Sequence, residues 1–267
     1  MLTFFFTLKL TLVLRIILFM IVYILKRYTM RREKVFTQIP EGYYQKKLSS
    51  GCSATCYLTD FGKVFKEYPE EYEYLRELEY LTYYQSEHFA FPEEFIFLLE
   101  KERKSLRGYL MKYIEGTSIR TLEDTTKLRD FVNALNEFER EMLRLTTQGL
   151  IFNDLNQDNL IYTPDKRIKA IDTDLYDVTS DDDFGNMYKR NLKELAATII
   201  AEFACGNRFK SNYMSECVEK CGAYGILRSS SLLEILAEES EKETKETVET
   251  VGELKQVLKL LKKVSVE

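Results

Sequence analysis

The sequence predicts an α+β protein with two lobes: an antiparallel five-stranded sheet with one helix, followed by a mainly helical and reduced second lobe. Three observations predict this arrangement. Short runs rich in aromatic and β-preferring residues, separated by turn signals, occupy residues 43–114. Segments with helical apolar periodicity, of which residues 123–148 are the longest, dominate the remainder. One hairpin with several carboxylates interrupts the helical half at residues 159–171.

The first lobe contains five expected strands and one expected helix. The strands share aromatic and β-branched content and are predicted at residues 43–44, 54–59, 64–68, 95–100 and 108–114. Turn signals separate the first three, Ser-Ser-Gly at residues 49–51 and Asp-Phe-Gly at residues 60–62. A charged helix is expected from Pro69, placed at its first turn, to about Gln85.

The second lobe begins with the long helix, whose apolar face contains Leu128, Phe131, Val132, Leu135, Phe138 and Met142. The turn at Pro164-Asp165 then connects the two hairpin strands, and residues 192–203 are again helical. Residues 238–250 are almost wholly charged or polar, which predicts a solvated helix or a flexible spacer. A short apolar stripe, Val251, Leu254, Leu258 and Leu261, is expected to dock. We therefore divide the chain into residues 1–29, 36–112, 113–236 and a charged helical tail, 237–267.

Composition excludes several classes of function. The net charge of −5 at pH 7 does not favour a nucleic-acid-binding protein. His88 is the single histidine, so a metal site with two histidine ligands is excluded, and a Ser-His-Asp triad would have to use this ring. The five cysteines form no C-x-x-C pair, and we expect them to be reduced thiols of a cytoplasmic domain.

The N-terminal segment, residues 10–25, is apolar except for Thr11 and Arg15. At about 1.5 Å per residue it spans roughly 24 Å as a helix, somewhat less than the ~30 Å hydrocarbon core of a bilayer. The basic residues between positions 26 and 34 favour a cytoplasmic location for the rest of the chain. The sequence therefore predicts a single membrane anchor in residues 1–29, and the alternative is a soluble cytoplasmic protein that begins at Met30.

The most informative constellation lies in the run GLIFNDLNQDNLIY, residues 149–162. A carboxylate, Asp154, and a carboxamide, Asn159, lie between the long helix and the hairpin, and another carboxylate, Asp172, comes after the return strand. Because the turn at Pro164 folds the two strands together, Asn159 and Asp172 should lie close to each other. Their oxygen donors suit Mg²⁺, and Asp154 is placed as a base that orients a hydroxyl. Taken singly, each residue also fits a polar loop in which Asn and Asp side chains cap turns.

In these residues the sequence resembles the protein-kinase-like superfamily, whose catalytic loop, His-Arg-Asp-Leu-x-x-x-Asn, is followed after a hairpin by Asp-Phe-Gly. Here the loop reads Phe-Asn-Asp-Leu at residues 152–155, and the metal-binding aspartate falls in Ile-Asp-Thr-Asp at residues 171–174. The resemblance implies Asp154 as catalytic base and Asn159 and Asp172 as Mg²⁺ ligands. It covers about residues 43–205 and implies the two-lobed protein-kinase-like fold.

The segment around the first predicted turn, residues 49–54, also resembles this family. Gly51 lies where the family has its glycine-rich loop, with Ser49 and Ala54 in the places of two further glycines. The resemblance implies that these small residues let backbone N–H groups approach the phosphates of ATP. A Ser/Gly hairpin turn without a ligand is the alternative.

The strand lysine of the family matches Lys66 in Val-Phe-Lys, ten residues after Ala54. The resemblance implies that Lys66 holds the α- and β-phosphates of ATP. Lys63 lies three positions earlier on the strand and therefore faces the opposite side. An exposed edge-strand lysine is the alternative for Lys66. The expected glutamate partner of this lysine is Glu77, with Glu73, one helical turn earlier, as the fallback.

Residues 109–116 resemble the segment that joins the two lobes of the family. There the resemblance implies that Met111 gates the nucleotide pocket. It also implies that backbone groups from Lys112 to Ile114 bind adenine.

The sequence departs from the family in several places. Phe152 and Asn153 replace the His-Arg pair, so the arginine that reads activation-loop phosphorylation is absent. Asn156 stands where serine/threonine kinases place a lysine, Thr-Asp at residues 173–174 replaces Phe-Gly, and no Ala-Pro-Glu comes after it. A literal Asp-Phe-Gly at residues 183–185 is preceded by a polar run rather than an apolar strand, so we reject it as the metal motif.

Three functions remain open. The first is an atypical serine/threonine protein kinase, like the small divergent bacterial ones, that uses Mg²⁺-ATP. The second is a small-molecule phosphotransferase of the aminoglycoside or choline kinase type, although only residues 173–267 remain to form an acceptor-binding insert. The third is a pseudokinase that only binds nucleotide. ATP, a protein or small hydroxyl acceptor, and a membrane through residues 10–25 are the expected partners.

Overall fold

The computed structural model describes residues 32–51, 53–69, 75–179, 183–203, 228–245 and 247–264. Within these ranges the chain is mixed α and β and divides into two compact units. The sheet unit contains the described residues up to Tyr83 together with Pro92–Met111, and the helical unit contains Tyr84–Phe91 and the described residues from Lys112 onward. No helix in the described ranges is long and apolar enough to cross a membrane, and residues 10–25 lie outside them.

The sheet unit is built on one six-stranded sheet with the strand order β1-β5-β6-β4-β3-β2. Its strands are β1 (Glu33–Phe36), β2 (Lys46–Ser50), β3 (Thr55–Leu58), β4 (Lys63–Glu67), β5 (Glu94–Glu100) and β6 (Arg103–Lys112). A helix, α1 (Leu75–Leu81), lies between β4 and β5 in the chain. The core of this unit contains Phe65, Ile96 and Leu110, one residue from each of three central strands.

The expectation of a five-stranded antiparallel sheet is wrong in strand number and in direction. Neither β1 nor β2 is among the predicted strands, and β1 runs parallel to β5, with Glu33 opposite Phe95 and Phe36 opposite Leu98. Its sequence, Glu-Lys-Val-Phe, is half charged and lies at the edge of the sheet, so it lacks the alternating apolar pattern by which strands are predicted.

The expected strand at Tyr43-Tyr44 is also wrong, because residues Glu41–Tyr44 form a 3₁₀ turn that precedes β2. The turn inserts Tyr43 into the core, where its ring makes edge contacts with Phe36 at 5.6 Å and Phe65 at 5.4 Å. Aromatic content predicted burial correctly here but not backbone conformation, since an isolated pair of tyrosines has no periodicity to read.

The helical unit contains the long helix, a hairpin and three further helices. In chain order the elements are β7 (Thr117–Ser118), a 3₁₀ turn (Ile119–Thr121), α2 (Leu128–Thr146), β8 (Leu150–Ile151), β9 (Leu160–Tyr162), β10 (Ile168–Ala170), a 3₁₀ turn (Thr173–Leu175), β11 (Asp177–Val178), α3 (Phe184–Phe203), α4 (Ser229–Thr244) and α5 (Val251–Val264). All the apolar residues predicted for the face of α2 are buried. Strands β9 and β10 confirm the hairpin.

The stretch predicted to be a solvated helix or a flexible spacer is helical as far as Thr244. Helix α4 runs through the expected boundary at residue 236 and packs against α2, α3 and α5. Ser240 and Val248, within the stretch predicted to be solvated, are buried. Helix α5 then docks as predicted, with Val251 and Leu254 fully buried. The prediction of a solvated helix therefore fits exposed positions such as Glu238 and Lys242 and is wrong for the buried ones, which composition cannot distinguish from solvated ones.

Candidate functional site

The loop between β8 and β9 presents Asp154 to solvent. Strand β8 enters the loop paired with β11, and the next residue, Phe152, is buried. Asp154 is exposed and has a backbone φ of 57°. This left-handed conformation is accessible to aspartate and asparagine at lower cost than to other residues with a side chain. The loop therefore holds the Asp154 carboxylate outward between two buried residues of the loop, Phe152 and Leu155.

Two asparagine side chains fix the Asp154 carboxylate. The Asn159 amide donates to the main-chain oxygen of Asp154 at 3.0 Å and to its Oδ2 at 3.2 Å. The Asn156 amide donates to Asp154 Oδ1 at 3.1 Å. The Asn156 oxygen in turn accepts from the backbone N–H of Asp158 at 3.0 Å and of Asn159 at 3.1 Å. Both carboxylate oxygens thus accept hydrogen bonds from the loop itself, which holds the carboxylate in a single orientation.

The hairpin brings Asn159 and Asp172 to one end, as its predicted geometry requires. The β9–β10 register pairs Leu160 with Ala170, and beyond it the Ile171 N–H donates to the carbonyl oxygen of Asn159 at 2.9 Å. Asp172 comes next in a left-handed conformation, φ 61° and ψ 53°, at the start of the Thr173–Leu175 turn. The ligand of Asn159 and Asp172 stays a prediction.

The donor set at this hairpin end suits a hard divalent cation. The Asn159 amide nitrogen bonds to Asp154, and no described residue donates to its Oδ1, so this oxygen is left for a ligand. An amide oxygen with a carboxylate oxygen is the ligand type Mg²⁺ prefers, together with water and phosphate oxygens. Within the described ranges no group of three or more His, Cys, Asp or Glu residues could hold a metal by itself. A cation held by Asn159 and Asp172 would therefore need further ligands from outside this pair, and its binding here stays a prediction.

A buried asparagine anchors the loop to the helices. Asn191 of α3 is fully buried, and its oxygen accepts from the Phe152 N–H at 3.0 Å. Its amide donates to Thr146 Oγ1 at 2.9 Å and to the Leu150 carbonyl at 3.0 Å. Farther along α3, the Thr198 hydroxyl donates to the Leu155 carbonyl oxygen. These bonds join α2, α3 and both sides of the loop, which makes the position of Asp154 rigid.

Asn153 forms a second link, between the loop and the segment after Asp172. Its amide nitrogen donates to the Leu175 carbonyl at 2.9 Å and to Asp177 Oδ2 at 2.8 Å. Its oxygen accepts from Arg190 Nη2 at 2.9 Å. Both the nitrogen and the oxygen of the Asn153 side-chain amide are therefore hydrogen-bonded to protein groups in this unit. We name the set Asn153, Leu175, Asp177 and Arg190 the Asn153 clamp.

Tyr176 lies beneath this site and is buried, with 1% of its surface exposed. Its ring packs edge-on against Phe152 at 5.2 Å and also contacts Phe89 at 6.2 Å. Burial, and then the negative charges of Asp172 and Asp154, raise the pKa of the Tyr176 phenol well above its ordinary value. The hydroxyl therefore stays protonated beside the carboxylates of the site.

The sheet unit places Lys66 in a central strand. Strand β4 lies between β3 and β6, and Lys66 is 5% exposed, so the alternative of an exposed edge-strand lysine is wrong. Lys63, on the same strand, is more exposed and its ammonium pairs with Glu93 at 2.8 Å. Gly108 of β6 allows close packing here, because a Cβ at that position would lie 2.0 Å from the Lys66 carbonyl oxygen. The strand that carries Lys66 is thus held tightly between its neighbours.

The candidate phosphate loop is a turn between β2 and β3. The Gly51 N–H donates to the Ala54 carbonyl oxygen at 2.9 Å, and Ser49 lies opposite Cys56 in the strand pair. A Cβ on Gly51 would meet only the Ala54 oxygen, at 3.8 Å, so its surroundings do not require glycine. The role of Ser49, Gly51 and Ala54 in holding phosphates stays a prediction.

The structure also locates the remaining residues predicted for the site, and their roles stay predictions. Met111 is buried near the end of β6, Lys112 is the exposed last residue of that strand, and Ile114 is partly exposed. The backbone of Glu77 lies in α1, but its side chain is outside the described part of the structure, as is the whole of Glu73. The structure therefore does not describe the predicted pair of Lys66 with Glu77.

The Asp-Phe-Gly sequence of residues 183–185 lies at the start of α3 rather than at the hairpin. The carbonyl oxygen of Asp183 accepts from the N–H groups of Asn186 and Met187, both at 3.0 Å. Phe184 is exposed and stacks on Tyr188 at 5.9 Å. These residues begin a helix, in agreement with their rejection as the metal motif.

Sequence reasoning missed the side chains that support the loop, Tyr176, Asn191 and the clamp partner Arg190. A signal existed for Asn191, since an asparagine within the apolar pattern of a helix must find buried partners. No local signal pointed to Tyr176 or Arg190, because their roles depend on contacts with residues more than twenty positions away.

No protein-family model matches the chain, and no curated protein matches it. The residues and contacts above are therefore the basis on which its function is inferred.

Proposed function

We propose that the protein is an ATP-dependent phosphotransferase of the protein-kinase-like superfamily that transfers the γ-phosphate of Mg²⁺-ATP to a hydroxyl group. One observation carries this proposal. Asp154 is exposed and accepts a hydrogen bond from the Asn159 amide, and Asn159 lies with Asp172 at one end of a hairpin, where the Ile171 N–H donates to the Asn159 main-chain oxygen. The side chains proposed as base and as cation ligands thus belong to one continuous segment, residues 154–172, which supports a role in phosphoryl transfer.

The chemistry assigns a distinct task to each side chain. Asp154 accepts the proton of the acceptor hydroxyl as the new oxygen–phosphorus bond forms and the bond to the β-phosphate oxygen of ADP breaks. Asn159 and Asp172 would hold Mg²⁺, which neutralises phosphate charge when bound. Lys66 is proposed to hold the α- and β-phosphates, and Glu77 to orient Lys66. Gly51, with Ser49 and Ala54, would cover the phosphates.

A protein serine or threonine is the acceptor we favour, with the adenine bound near Met111, Lys112 and Ile114. A small-molecule acceptor is the second candidate, because only residues 176–183 separate the turn after Asp172 from α3, which leaves little chain for a protein-docking segment. A pseudokinase is the third. Incubating the purified protein with radiolabelled ATP and a lysate, then separating proteins from metabolites, distinguishes the three by where the label appears.

Mg²⁺-dependent ATP binding is the first expected result. At an ATP concentration about one hundred times its Kd, binding should stabilise the protein by about 2.7 kcal/mol, which raises Tm by roughly 5–10 °C. Without Mg²⁺ the shift should be much smaller, because Asn159 and Asp172 would contact the phosphates only through the cation. Thermal melting with ATP, with Mg²⁺ and with both measures this directly.

Two variants and one control sharpen this measurement. Lys66→Met and Asp172→Asn should each reduce the Mg²⁺-ATP shift, since one removes the phosphate-binding ammonium and the other a cation ligand. Lys63→Met is the matched control, because Lys63 lies on the same strand and pairs with Glu93 at 2.8 Å. A folded wild-type protein with no shift at millimolar ATP would contradict the proposal.

The second expected result is a rate of phosphate transfer that does not depend on phosphorylation of the protein itself. Asn153 already uses both ends of its amide in the clamp, so the segment after Asp172 is held without an added phosphate. Treating the protein with a serine/threonine phosphatase should leave the transfer rate within about twofold. Asn153→Ala should slow transfer by about tenfold, because each hydrogen bond of the clamp is worth about 1 kcal/mol.

Asn186→Ala is the matched control for the clamp variant, since Asn186 lies in the first turn of the same helix, α3, outside the clamp. It should transfer phosphate at the wild-type rate. Activity that disappears after phosphatase treatment would show that a phosphate, rather than Asn153, orders this segment.

A further inference from the structure

The side chain of Asn156 joins two parts of the loop that carries Asp154. One end of its amide accepts from the backbone N–H of Asp158 at 3.0 Å and of Asn159 at 3.1 Å. The other end donates to Oδ1 of Asp154 at 3.1 Å. Only an oxygen can accept from two N–H groups, so these bonds turn the nitrogen of the amide towards Asp154.

The oxygen and the nitrogen of the Asn156 amide have different effects. The oxygen closes a short turn, because its two donors lie two and three residues later in the chain. The nitrogen orients Asp154. The Asn159 amide donates to Oδ2 and to the main-chain oxygen of Asp154, and among the described residues Asn156 provides the hydrogen bond to Oδ1. Removing the nitrogen alone should therefore keep the turn and release one oxygen of the carboxylate.

Asparagine is the residue type that suits both tasks at this position. An ionised aspartate accepts hydrogen bonds but cannot donate one, and lysine donates but has no acceptor. Asn156 stands where serine/threonine kinases place a lysine, and a lysine could not accept from the two N–H groups of this turn. The replacement therefore changes what the position does, and its nitrogen is bonded to the proposed base.

We infer that Asn156 is a positioning residue for the proposed base: its amide N–H holds Oδ1 of Asp154 in the orientation in which the carboxylate receives the proton of the acceptor hydroxyl. This inference rests on the proposed function. A carboxylate has about four lone-pair sites, so the bonds from Asn156 and Asn159 leave room for the acceptor. The carboxylate is oriented before the acceptor arrives, and its ordering does not add to the barrier of the reaction.

Asn156→Asp separates the two effects, because aspartate has the same shape and keeps the oxygen that closes the turn. The variant places an oxygen, not an N–H donor, opposite Oδ1 of Asp154, and the two carboxylates then repel each other. We expect kcat to fall by about 10- to 100-fold, as for a catalytic group misplaced by about 1 Å. KM for ATP should stay within about twofold of wild type and Tm within about 3 °C.

Gln157→Glu is the matched control, since it makes the same change from amide to carboxylate in the next residue of the loop. The Gln157 side-chain oxygen accepts from Arg120 at 3.3 Å, and no described hydrogen bond joins this side chain to Asp154. The variant should transfer phosphate at nearly the wild-type rate, which separates loss of the hydrogen bond from a general effect of added charge. Asn156→Ala, which removes both ends of the amide without adding charge, should lower kcat and Tm together.

A double variant tests whether Asn156 acts through Asp154. If it does, Asp154→Asn combined with Asn156→Asp should transfer phosphate no more slowly than Asp154→Asn alone, because the base is already absent. The measurement is the initial rate of label transfer from radiolabelled ATP to the accepting lysate fraction, at varied ATP concentration, with the full chain. Thermal melting of each variant shows that it is folded.

The outcomes separate this inference from the proposed function. An active wild-type protein with an equally active Asn156→Asp variant overturns the inference alone, as does an equal loss in Gln157→Glu or an additional loss in the double variant. A wild-type protein that transfers no phosphate overturns both. A loss in kcat that is absent from Gln157→Glu and from the Asp154→Asn background supports the positioning role.

Discussion

Replacing Asp154 with asparagine is expected to lower the rate of phosphate transfer by about 10²- to 10⁴-fold, the usual contribution of a general base. The loss should appear in kcat and much less in KM for ATP, because Asp154 is proposed to contact the acceptor hydroxyl and not the nucleotide. Asparagine tolerates the left-handed backbone at this position, where φ is 57°, so the loop should keep its conformation. Initial rates at varied ATP concentration, together with the Mg²⁺-ATP shift in Tm, test both parts.

The matched control is Asp158→Asn, four residues later in the same loop. Asp158 is exposed and pairs with Arg120 at 2.7 Å, an ion pair of small energetic value. This variant should transfer phosphate at nearly the wild-type rate. If Asp154→Asn also did so, the assignment of the catalytic loop would be wrong, and a nucleotide-binding module without catalysis would become the better interpretation.

The sequence predicted those parts of the fold that local patterns determine. The hairpin is predicted by two short apolar strands around Pro164, and the buried face of α2 by its periodicity. The parallel pairing of Glu33 with Phe95 could not be predicted in this way, because it joins segments separated by most of the sheet unit. Pairing over such distances is decided by the available sheet edge rather than by the strand's own residues.

In the candidate site, too, features within one segment could be predicted from the sequence, and features that depend on distant contacts could not. Asp154, Asn159 and Asp172 could be identified because their side chains belong to one continuous segment whose turn brings the ends together. The side chains that hold these residues in place could not be identified from the sequence. Asn191 and Tyr176 act through contacts that form only when the unit is packed. Lys66 belongs to the sheet unit, so its role with the other residues stays a prediction.

A charged residue within the apolar face of α2 provides the second large expected effect. Glu139 is 1% exposed, and its carboxylate accepts from the Ser229 N–H at 2.6 Å and from the Ser230 hydroxyl at 3.0 Å. It also pairs with Arg228 Nε at 2.9 Å. Glu139 thus caps the N-terminus of α4 from a different helix, in place of the absent local cap. This buried carboxylate attaches α4 to α2, the helix that leads into the Asp154 loop.

Glu139→Ala should lower the free energy of unfolding by about 3–5 kcal/mol, because it leaves the Arg228 charge and the first N–H groups of α4 without their buried partner. Urea denaturation measures this change. Glu137→Ala, on the exposed side of the same helix, has the same effect on helix propensity and should stay within about 0.5 kcal/mol of wild type. Glu139→Gln should lie between them, since its oxygen still accepts from Ser229 while its amide faces the other donors. Equal stabilities of Glu139→Ala and Glu137→Ala would mean that α4 is not held by this carboxylate, and residues 237–267 would again be best described as a separate tail.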